Sequence, residues 1–331
     1  MQITNDATSP PDIHLVTYNL RYDTRPDNVT VSQSIASLPS PLPTPAHGYL
    51  PLRSHEERPW SLRRMRVAEQ VLGGGVDVVC VQEALVRQVY DLHELFGDDW
   101  DWVGVGRDDG LEAGEFSAVF YKKSLFRAIS SDHFWLSPTP FVPSYYPGAG
   151  SIRICTTLHL EHRTHPSRAR FTVLNTHLDE RSDAQRMLAG SMLLYRAKYE
   201  AYMSGGPVFV LGDFNSPPDG TDSGAYRIVT GALAPTSLPE DFAQRFSIPA
   251  SASSFVLHDL RAHTPRQHVS ANHATFTGFT APNDTREWKR IDFVFGGGEG
   301  WESTRYRVVD ARADDGVLAS DHRPVFVDVR V

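Results

Sequence analysis

The sequence predicts an α/β fold in which β-sheets pack together and helices cover them. Short apolar runs of strand length alternate along the chain with segments whose apolar residues recur at helical spacing. A strand–helix–strand unit occurs twice, once before residue 83 and once between residues 171 and 211. Polar residues that follow the strands span residues 19 to 322, so we expect residues 1–331 to form a single domain.

The first predicted strand runs from Ile13 to Tyr18. Residues 24–59 are then rich in proline, serine and charged side chains, a composition that does not readily hold a helix or a central strand. We therefore expect a surface-loop insertion over about 24–59. It follows Asn19 closely, so it either borders the functional site or is a disordered insertion without function.

The first strand–helix–strand unit continues with Leu62, Met65, Ala68 and Val71 at helical spacing, and glycines at 73–75 end this helix. A buried strand over residues 76–82 is predicted to follow this helix. Further strands are predicted at residues 117–121 and 153–160 and in the aromatic patch at 134–135.

The second unit begins with a strand from Phe171. The helix after it has Ser182 as its N-cap and Gln185 three residues later, the arrangement of a capping box, and Gly205 marks its end. An apolar strand that reaches Leu211 closes the unit. A polar cluster follows each unit, which is a weak internal duplication consistent with two related sheets.

Composition limits the function classes. The formal net charge of -8 and the pI near 5.9 weaken a nucleic-acid-binding interpretation without excluding a nuclease, because metal ions can supply local positive charge. Cys80 and Cys155 lie in apolar, strand-like segments and are expected to be buried thiols rather than a disulfide. No apolar run reaches membrane-spanning length and no signal peptide is visible, so a soluble, intracellular protein is favoured, with a secreted mature form as the alternative.

Acid, amide and imidazole residues follow the predicted strands along the whole chain. Any one of them has an ordinary interpretation as a helix cap, a turn residue or a buried histidine. Their joint occurrence after strands instead indicates a site for metal-assisted hydrolysis, assembled by a sheet scaffold. These residues are Asn19, Glu83, His177, Asp213, Asn215, Asp292, Asp321 and His322.

The chain resembles the endonuclease/exonuclease/phosphatase superfamily, the metal-dependent phosphoesterases with the deoxyribonuclease I fold. The matching segments are TYNLR at 17–21, VQEA at 81–84, NTHLD at 175–179, GDFNS at 212–216, RIDFV at 290–294 and SDHRP at 320–324. Segments 102–110 and 113–116 resemble a stand-alone, poorly characterised branch. The resemblance implies a four-layer α/β/β/α sandwich of two packed mixed β-sheets with outer helices.

By the same resemblance, Glu83 is the principal metal ligand, with Asn19 and Asp321 beside it. The cation is Mg²⁺ or Mn²⁺, and it neutralises the phosphate and polarises the P–O bond. Some relatives carry a carboxylate two residues after the position of Asn19, where this chain has Arg21. One ion rather than two is therefore expected.

The resemblance also implies catalytic roles. Asp213 orients or deprotonates the attacking water, and Asn215 holds water or phosphate. His322 donates a hydrogen bond to the phosphate, Asp292 accepts its other ring proton, and His177 contacts the phosphate from another side.

Three further residues are candidates for contact with the substrate or for support of the site. Glu115 is expected to pair with His177, as a carboxylate does in some relatives. Arg107 either contacts a substrate phosphate or lies solvated in a surface turn. Asp179 either supports the site from behind or is an ordinary loop residue.

The substrate is a phosphate ester, and two enzymatic hypotheses remain. A nuclease or other phosphodiesterase is narrowly preferred, with nucleic acid as a possible partner. The alternative is a phosphatase of a small phosphorylated metabolite, a sugar or an inositol. A non-catalytic binding module on the same fold would be expected to lack some of the residues named above, and none is missing. The oligomeric state stays open, with a monomer favoured.

Overall fold

A computed structural model gives the fold of residues 10–38, 56–163, 165, 169–249, 254–281, 284–313 and 316–331. The strands are β1 (Asp12–Asn19), β2 (Val78–Gln82), β3 (Trp100–Val103), β4 (Val119–Lys122), β5 (Phe126–Trp135), β6 (Ile154–His162), β7 (Arg170–His177), β8 (Val208–Asp213), β9 (His258–Asp259), β10 (Asp292–Gly297), β11 (Glu302–Val308) and β12 (Val325–Arg330). The helices are α1 (Val31–Ala36), α2 (Trp60–Gly73), α3 (Val86–Phe96), α4 (Asp183–Ser204), α5 (Gly224–Val229), α6 (Glu240–Arg245) and α7 (Leu260–His263), and Arg266–His268 forms a 3-10 turn.

The strands form two six-stranded sheets, each containing parallel and antiparallel pairs. One has the order β11-β12-β1-β2-β4-β3 and the other the order β5-β6-β7-β8-β10-β9. The parallel pair β1/β2 belongs to the first sheet and the parallel pair β7/β8 to the second. Each pair is joined through helices, as parallel neighbours require, so the two predicted strand–helix–strand units lie one in each sheet.

Three apolar clusters build the layers. Between the sheets, residues such as Leu15 and Cys80 of the first sheet pack with Val173 and Leu211 of the second. Helices α2 and α3 cover the outer face of the first sheet, and α4, α5 and α6 cover that of the second. The predicted α/β/β/α sandwich of two mixed sheets is confirmed. Burial of both faces is why the central strands are continuous apolar runs.

One prediction about the 24–59 segment is wrong. Helix α1 lies inside it, although a helix was not expected there. Thr30 and Gln33 form a reciprocal capping box, and Ser34 donates a hydrogen bond to the carbonyl of Ser61, so a cap and a tertiary contact stabilise one and a half turns. The proline-rich residues 39–55 lie outside the described part of the chain, and the loop prediction for them stays a prediction.

Helix α4 begins as predicted but is capped differently. The Ser182 hydroxyl accepts from the backbone N–H of Gln185 at 3.2 Å. The Gln185 side chain, however, donates to the carbonyl of Leu136 at 2.9 Å and accepts from the N–H of Asp179 at 3.3 Å. The reciprocal half of the predicted capping box is therefore absent, because tertiary partners compete for the amide.

Two smaller sequence-based expectations concern thiols and membranes. Cys80 and Cys155 are both buried and unpaired, as predicted. Among the residues whose structure is described, none of the helices combines the length and the apolar character needed to cross a membrane.

Strand register brings distant residues together. In the second sheet His177 lies opposite Asp213 across the parallel β7/β8 pair, and Asp292 lies opposite Asp213 across the antiparallel β8/β10 pair. In the first sheet Asn19, the last residue of β1, lies opposite Gln82, the last residue of β2. The polar strand ends of both sheets therefore meet at one edge of the sandwich.

Candidate active site

A cavity of about 680 Å³ opens at this edge of the sandwich. Eight of the eleven residues predicted for the site line it, namely Glu83, Arg107, Glu115, His177, Asp213, Asn215, Asp321 and His322. Asn19 and Asp292 lie directly behind the lining and contact it by hydrogen bonds. Asp179 is buried elsewhere, as described below.

Asp213 is the centre of the arrangement. Its carboxylate accepts hydrogen bonds from the Asn19 side chain at 3.0 Å and from the backbone N–H of Asn215 at 2.9 Å. Nε2 of His177 lies 3.5 Å away and Nε2 of His322 lies 3.6 Å away. Burial, together with the charge of Asp292, raises the pKa of Asp213 to about 7, against the opposing charge of His322. A carboxylate tuned near neutral pH is suited to accept a proton.

His322 is held as a cation by two carboxylates. Its Nδ1 lies 2.9 Å and 3.1 Å from the two oxygens of Asp292. Burial lowers the pKa of His322, but the charges of Asp292 and Asp213 outweigh burial and raise it to about 10. Its Nε2–H consequently faces Asp213 and the cavity as a charged donor. The ring of Phe276 packs against it edge-on, with centroids 5.0 Å apart.

His177 has the opposite character. Nε2 of His177 lies 3.1 Å from the amide nitrogen of Asn215. Burial, with the nearby charges of Arg153, Arg107 and His322, holds the pKa of His177 well below its usual value, so the ring is neutral. Its Nδ1 is buried without a hydrogen-bond partner among the described residues.

The expected pairing of Glu115 with His177 is not a hydrogen bond in this structure. Glu115 lies 3.9 Å from Nδ1 of His177 and instead binds Arg107 through two contacts of 2.6 and 2.9 Å. Burial raises the pKa of Glu115 to about 7, with Arg107 opposing and Glu83 adding to the rise. A planar guanidinium matches a carboxylate better than an imidazole does, and Arg107 is accordingly a half-buried part of the cavity wall that pairs with Glu115 rather than a solvated side chain in a surface turn.

Glu83 and Asp321 are the carboxylates on the first-sheet side of the cavity. Glu83 accepts from the Asn19 amide at 2.9 Å and from the backbone N–H of Tyr22 at 3.2 Å. Burial raises the pKa of Asp321. The charge of His322 opposes this rise, and the charge of Glu83 adds to it. Negative charge is therefore crowded at this end of the cavity.

Backbone strain is concentrated at the same place. In the described part of the chain, the non-glycine residues with positive φ are Arg21 at 57°, Glu83 at 60° and Asn215 at 45°, and all three line the cavity. Such conformations cost on the order of 1–3 kcal/mol each and persist where the surroundings impose them. Such clustering is typical of functional sites, and it is an observation independent of side-chain chemistry.

The donor set fits a divalent cation. Asp213, Asp292 and His322 present ligand atoms within 4.8 Å of one another, but a charged His322 that already binds Asp292 has no lone pair to offer. We therefore interpret those three residues as a hydrogen-bonded charge network. Glu83 and Asp321 instead offer oxygen ligands whose mutual repulsion a cation would relieve, and oxygen ligands suit Mg²⁺ and Mn²⁺.

Asn19 has a structural part in that donor set. Its amide nitrogen binds Glu83 and Asp213, and its oxygen accepts from the backbone N–H of Arg21 at 3.0 Å. It thus links the carboxylates of the two sheets. Its oxygen retains a lone pair for a cation.

Asp179 supports the cavity wall without lining it. Its carboxylate accepts from the backbone N–H groups of Gly150, Ser151, Arg181 and Ser182. It thereby joins the loop before β6 to the start of α4. Of the two expected roles, support from behind is the one that this geometry matches.

Sequence reasoning missed several cationic and aromatic lining residues. Arg153 is buried between Glu180, which it contacts, and Asp179 at 3.5 Å. Lys289 and Phe276 come from segments that pair with each other beside His322. Arg186, on the first turns of α4, binds Asp222 at the mouth. Single basic residues in loops carry no local signal, because their partners are distant in sequence.

Known proteins resemble this chain in sequence and in fold. A family model described as the Endonuclease/Exonuclease/phosphatase family matches residues 16–322. None of the curated proteins matches the chain. Many solved structures do.

Three of the similar solved structures come from Bacteroides. A mannosyl-6-phosphatase of Bacteroides thetaiotaomicron is 25% identical with a TM-score of 0.70, and the match covers 96% of this chain and 100% of that one. An endonuclease/exonuclease/phosphatase family protein of the same species is 25% identical with a TM-score of 0.70, covering 97% and 98%. An endonuclease/exonuclease/phosphatase of Bacteroides vulgatus is 24% identical with a TM-score of 0.73, covering 97% and 99%, and this likeness shows the fold.

Proposed function

The chain belongs to the endonuclease/exonuclease/phosphatase family of phosphoester hydrolases, and we propose that it hydrolyses the phosphate monoester of a small polar molecule, with a phosphorylated sugar as the favoured class. One observation carries the proposal: a charged His322 and a near-neutral-pKa Asp213 face a pair of crowded carboxylates, Glu83 and Asp321, across one small cavity. These are the groups that phosphoester hydrolysis by water requires.

A Mg²⁺ or Mn²⁺ ion held by Glu83, Asp321 and Asn19 would supply the charge neutralisation that a phosphate ester needs before an oxyanion can approach it. The protein groups do the rest. Asp213 accepts a proton from the attacking water, whose oxygen forms the new P–O bond as the ester P–O bond breaks. His322 donates Nε2–H to a phosphoryl oxygen while negative charge builds on the oxygens around phosphorus, and Asp292 keeps that ring protonated and oriented.

Asn215 and His177 hold the other side of the reacting group. The Asn215 amide donates to the carbonyl of Leu178 and lies against His177, so both side chains are fixed next to Asp213. A neutral imidazole there contacts a phosphate without repelling the neighbouring cations Arg107 and Arg153. The leaving oxygen takes a proton from solvent water and the proton held by Asp213 returns to solvent, so the products are inorganic phosphate and an alcohol.

The charge distribution favours a monoester over the diester that sequence alone preferred narrowly. A monoester dianion carries more charge than a diester, and Arg107, Arg153 and Lys289 line the cavity along with His322. At the mouth, the side chains of Glu180 and Asp222 are 43% and 65% exposed. Exposed carboxylates repel a long polyanion but accept hydrogen bonds from sugar hydroxyls. The similarity to a mannosyl-6-phosphatase along the whole chain supports the same choice.

Nucleic-acid diester cleavage is the second candidate. The observation that favours it is that two aromatic residues, Tyr22 and Phe276, line the cavity, because aromatic side chains stack on bases. A binding module without catalysis is disfavoured, since Glu83, Asp213, Asp321 and His322 all line one cavity.

Hydrolysis tests the choice. We expect phosphate release from mannose 6-phosphate or glucose 6-phosphate with Mg²⁺ or Mn²⁺, loss of it with EDTA, and a rate lower by about 10²–10⁴-fold in Asp213→Asn. A bis-aryl phosphate and a single-stranded oligonucleotide are run beside them. The exposed Asp98→Asn variant is the matched control and should retain wild-type rates.

The outcomes separate the candidates. Turnover confined to the diester or the oligonucleotide would replace the monoester proposal with the nuclease one. Full activity of Asp213→Asn on any substrate would remove Asp213 from the role of proton acceptor.

A further inference from the structure

Helix α2 carries two adjacent arginines, Arg63 and Arg64, whose side chains are both fully buried. A buried guanidinium is strongly unfavourable unless its N–H groups find acceptors. The acceptors of the two arginines lie in different parts of the molecule. The acceptors of Arg63 lie next to the candidate active site, and those of Arg64 do not.

Arg63 binds the backbone of two segments that carry predicted cation ligands. Its Nη1 donates to the carbonyl of Leu20 at 2.6 Å and to that of Ala319 at 3.0 Å. Its Nη2 donates to the carbonyl of Arg21 at 3.0 Å and lies 3.4 Å from that of Tyr22. Leu20 directly follows Asn19, and Ala319 stands two residues before Asp321.

The remaining contacts fix the guanidinium from behind. Nε of Arg63 donates to the carbonyl of Arg58 at 3.0 Å, and the closest carboxylate in an ion pair with it, Glu57, is 3.9 Å away. Backbone carbonyls therefore accept most of the hydrogen bonds that the Arg63 guanidinium donates. Ser320 adds a parallel tie, since its hydroxyl donates to the carbonyl of Asn19 at 2.7 Å.

We propose that Arg63 is a positioning residue that sets the spacing between the end of β1 and the segment before β12, and so the spacing of Asn19 and Asp321 around a divalent cation. The inference rests on the proposed metal-dependent function. Only a planar fork with donors pointing in fixed directions reaches these carbonyls together. A lysine keeps the positive charge but has a single nitrogen. Arg63→Lys therefore removes the set of hydrogen bonds that holds the two segments at a fixed spacing, while a positively charged side chain remains on the helix.

Arg64 is a matched control on the same helix. It binds Asp91 at 2.7 Å, the hydroxyl of Ser34 at 2.7 Å and the carbonyls of Val29 and Thr30. These partners belong to α3, α1 and the segment before α1, not to the segments that carry the cation ligands. Arg64→Lys therefore disturbs an equally buried guanidinium without touching the spacing of Asn19 and Asp321.

The experiment measures Mn²⁺ binding without substrate, by the electron paramagnetic resonance of free Mn²⁺, on the full chain. We expect Arg63→Lys to weaken Mn²⁺ binding about 10- to 100-fold and Arg64→Lys to leave it within about twofold of wild type. Amide hydrogen exchange should rise in peptides covering residues 19–23 and 317–322 for Arg63→Lys only. Saturating Mn²⁺ should restore much of its turnover, which a general loss of stability would not allow.

Equal changes of Mn²⁺ affinity in the two variants, or unchanged affinity in a folded Arg63→Lys, would overturn the proposal. If Arg63→Lys does not fold, Ser320→Ala removes the parallel tie between the same segments, and an unchanged Mn²⁺ affinity there counts against the proposal. Wild-type protein that binds Mn²⁺ but hydrolyses none of the esters would overturn the proposed function and leave the Arg63 result standing. Wild-type protein that binds no Mn²⁺ would overturn both.

Discussion

At the residue scale, two histidines at one cavity acquire opposite charge states from their neighbours. His322 has Asp292 and Asp213 beside it, and its pKa rises to about 10 although burial alone lowers it. His177 is also buried, and burial, reinforced by the charges of Arg153 and Arg107, lowers its pKa. The cavity therefore contains one imidazolium that donates charge-assisted hydrogen bonds and one neutral imidazole that does not repel the arginines.

These charges predict a bell-shaped pH profile. Asp213, with a pKa of about 7, must be ionised to accept a proton, so activity falls as the pH drops through about 7. His322, with a pKa of about 10, must be protonated to donate, so activity falls as the pH rises through about 10. The charge of Asp292 raises both pKa values. Asp292→Asn should accordingly move both limbs to lower pH.

The measurement is kcat/KM for a phosphate monoester as a function of pH, and we also expect Asp292→Asn to reduce the rate at pH 8 by about 10²–10⁴-fold. Asp77→Asn is the control, because Asp77 is a buried carboxylate that binds the backbone of His14 and the amine of Lys122, away from the cavity. An alkaline limb that does not move in Asp292→Asn would show that Asp292 does not set the charge of His322.

At the element scale, the site depends on how closely β7, β8 and β10 approach one another. Gly212, next to Asp213 on β8, has φ of 149°, and a Cβ there would lie 2.0 Å from the carbonyl oxygen of Thr176 on β7. A side chain at this position would force the parallel pair apart. The close approach keeps His177 in register with Asp213.

Gly212→Ala should therefore reduce both stability and activity. We expect the free energy of unfolding in urea to fall by about 1–3 kcal/mol, through overpacking and backbone strain, with a loss of turnover that added Mn²⁺ does not restore. Gly73→Ala, at the end of α2 where a Cβ meets open space, should be neutral or slightly stabilising. Equal unfolding free energies for Gly212→Ala and wild type would contradict the close-approach argument.

At the scale of the whole molecule, an acidic protein concentrates cationic side chains inside a small cavity. The net charge is -8, yet Arg21, Arg107, Arg153 and Lys289 all line the site. Exposed acids such as Asp222 stand at the mouth. Under the proposed function, this distribution suits a short anion that enters the cavity.

Salt dependence tests that distribution. Between about 50 and 200 mM salt, we expect kcat/KM for a sugar phosphate to change by less than about threefold, because few counterions are released. Any oligonucleotide cleavage should fall far more steeply over the same range. The comparison uses both substrates at matched Mg²⁺. A steep fall for the monoester would indicate that charges outside the cavity dominate binding.

How much could be predicted from sequence follows from the range of the interactions. Glu83, Asp213 and His322 were predicted because an apolar strand ends or begins close to each of them, which is a local pattern. Helix α1 was missed because its stability combines a capping box with the tertiary contact of Ser34 to Ser61. Arg153 was missed because its place in the cavity depends on Glu180 and Asp179, which lie on another segment.

The alternation of strands and helices and the residue types beside the strands could be predicted from the sequence alone, because burial on both sheet faces and strand length leave periodic, local signals. The four α/β/β/α layers were implied by the resemblance to the family. Three features could be seen only in the folded chain: Glu115 binds Arg107 rather than His177, the Gln185 side chain bonds tertiary partners instead of completing its capping box, and His322 is charged while His177 is neutral. Hydrogen-bond partners and protonation states depend on distances of a few ångströms between residues far apart in the chain, and the packing of the two sheets sets those distances.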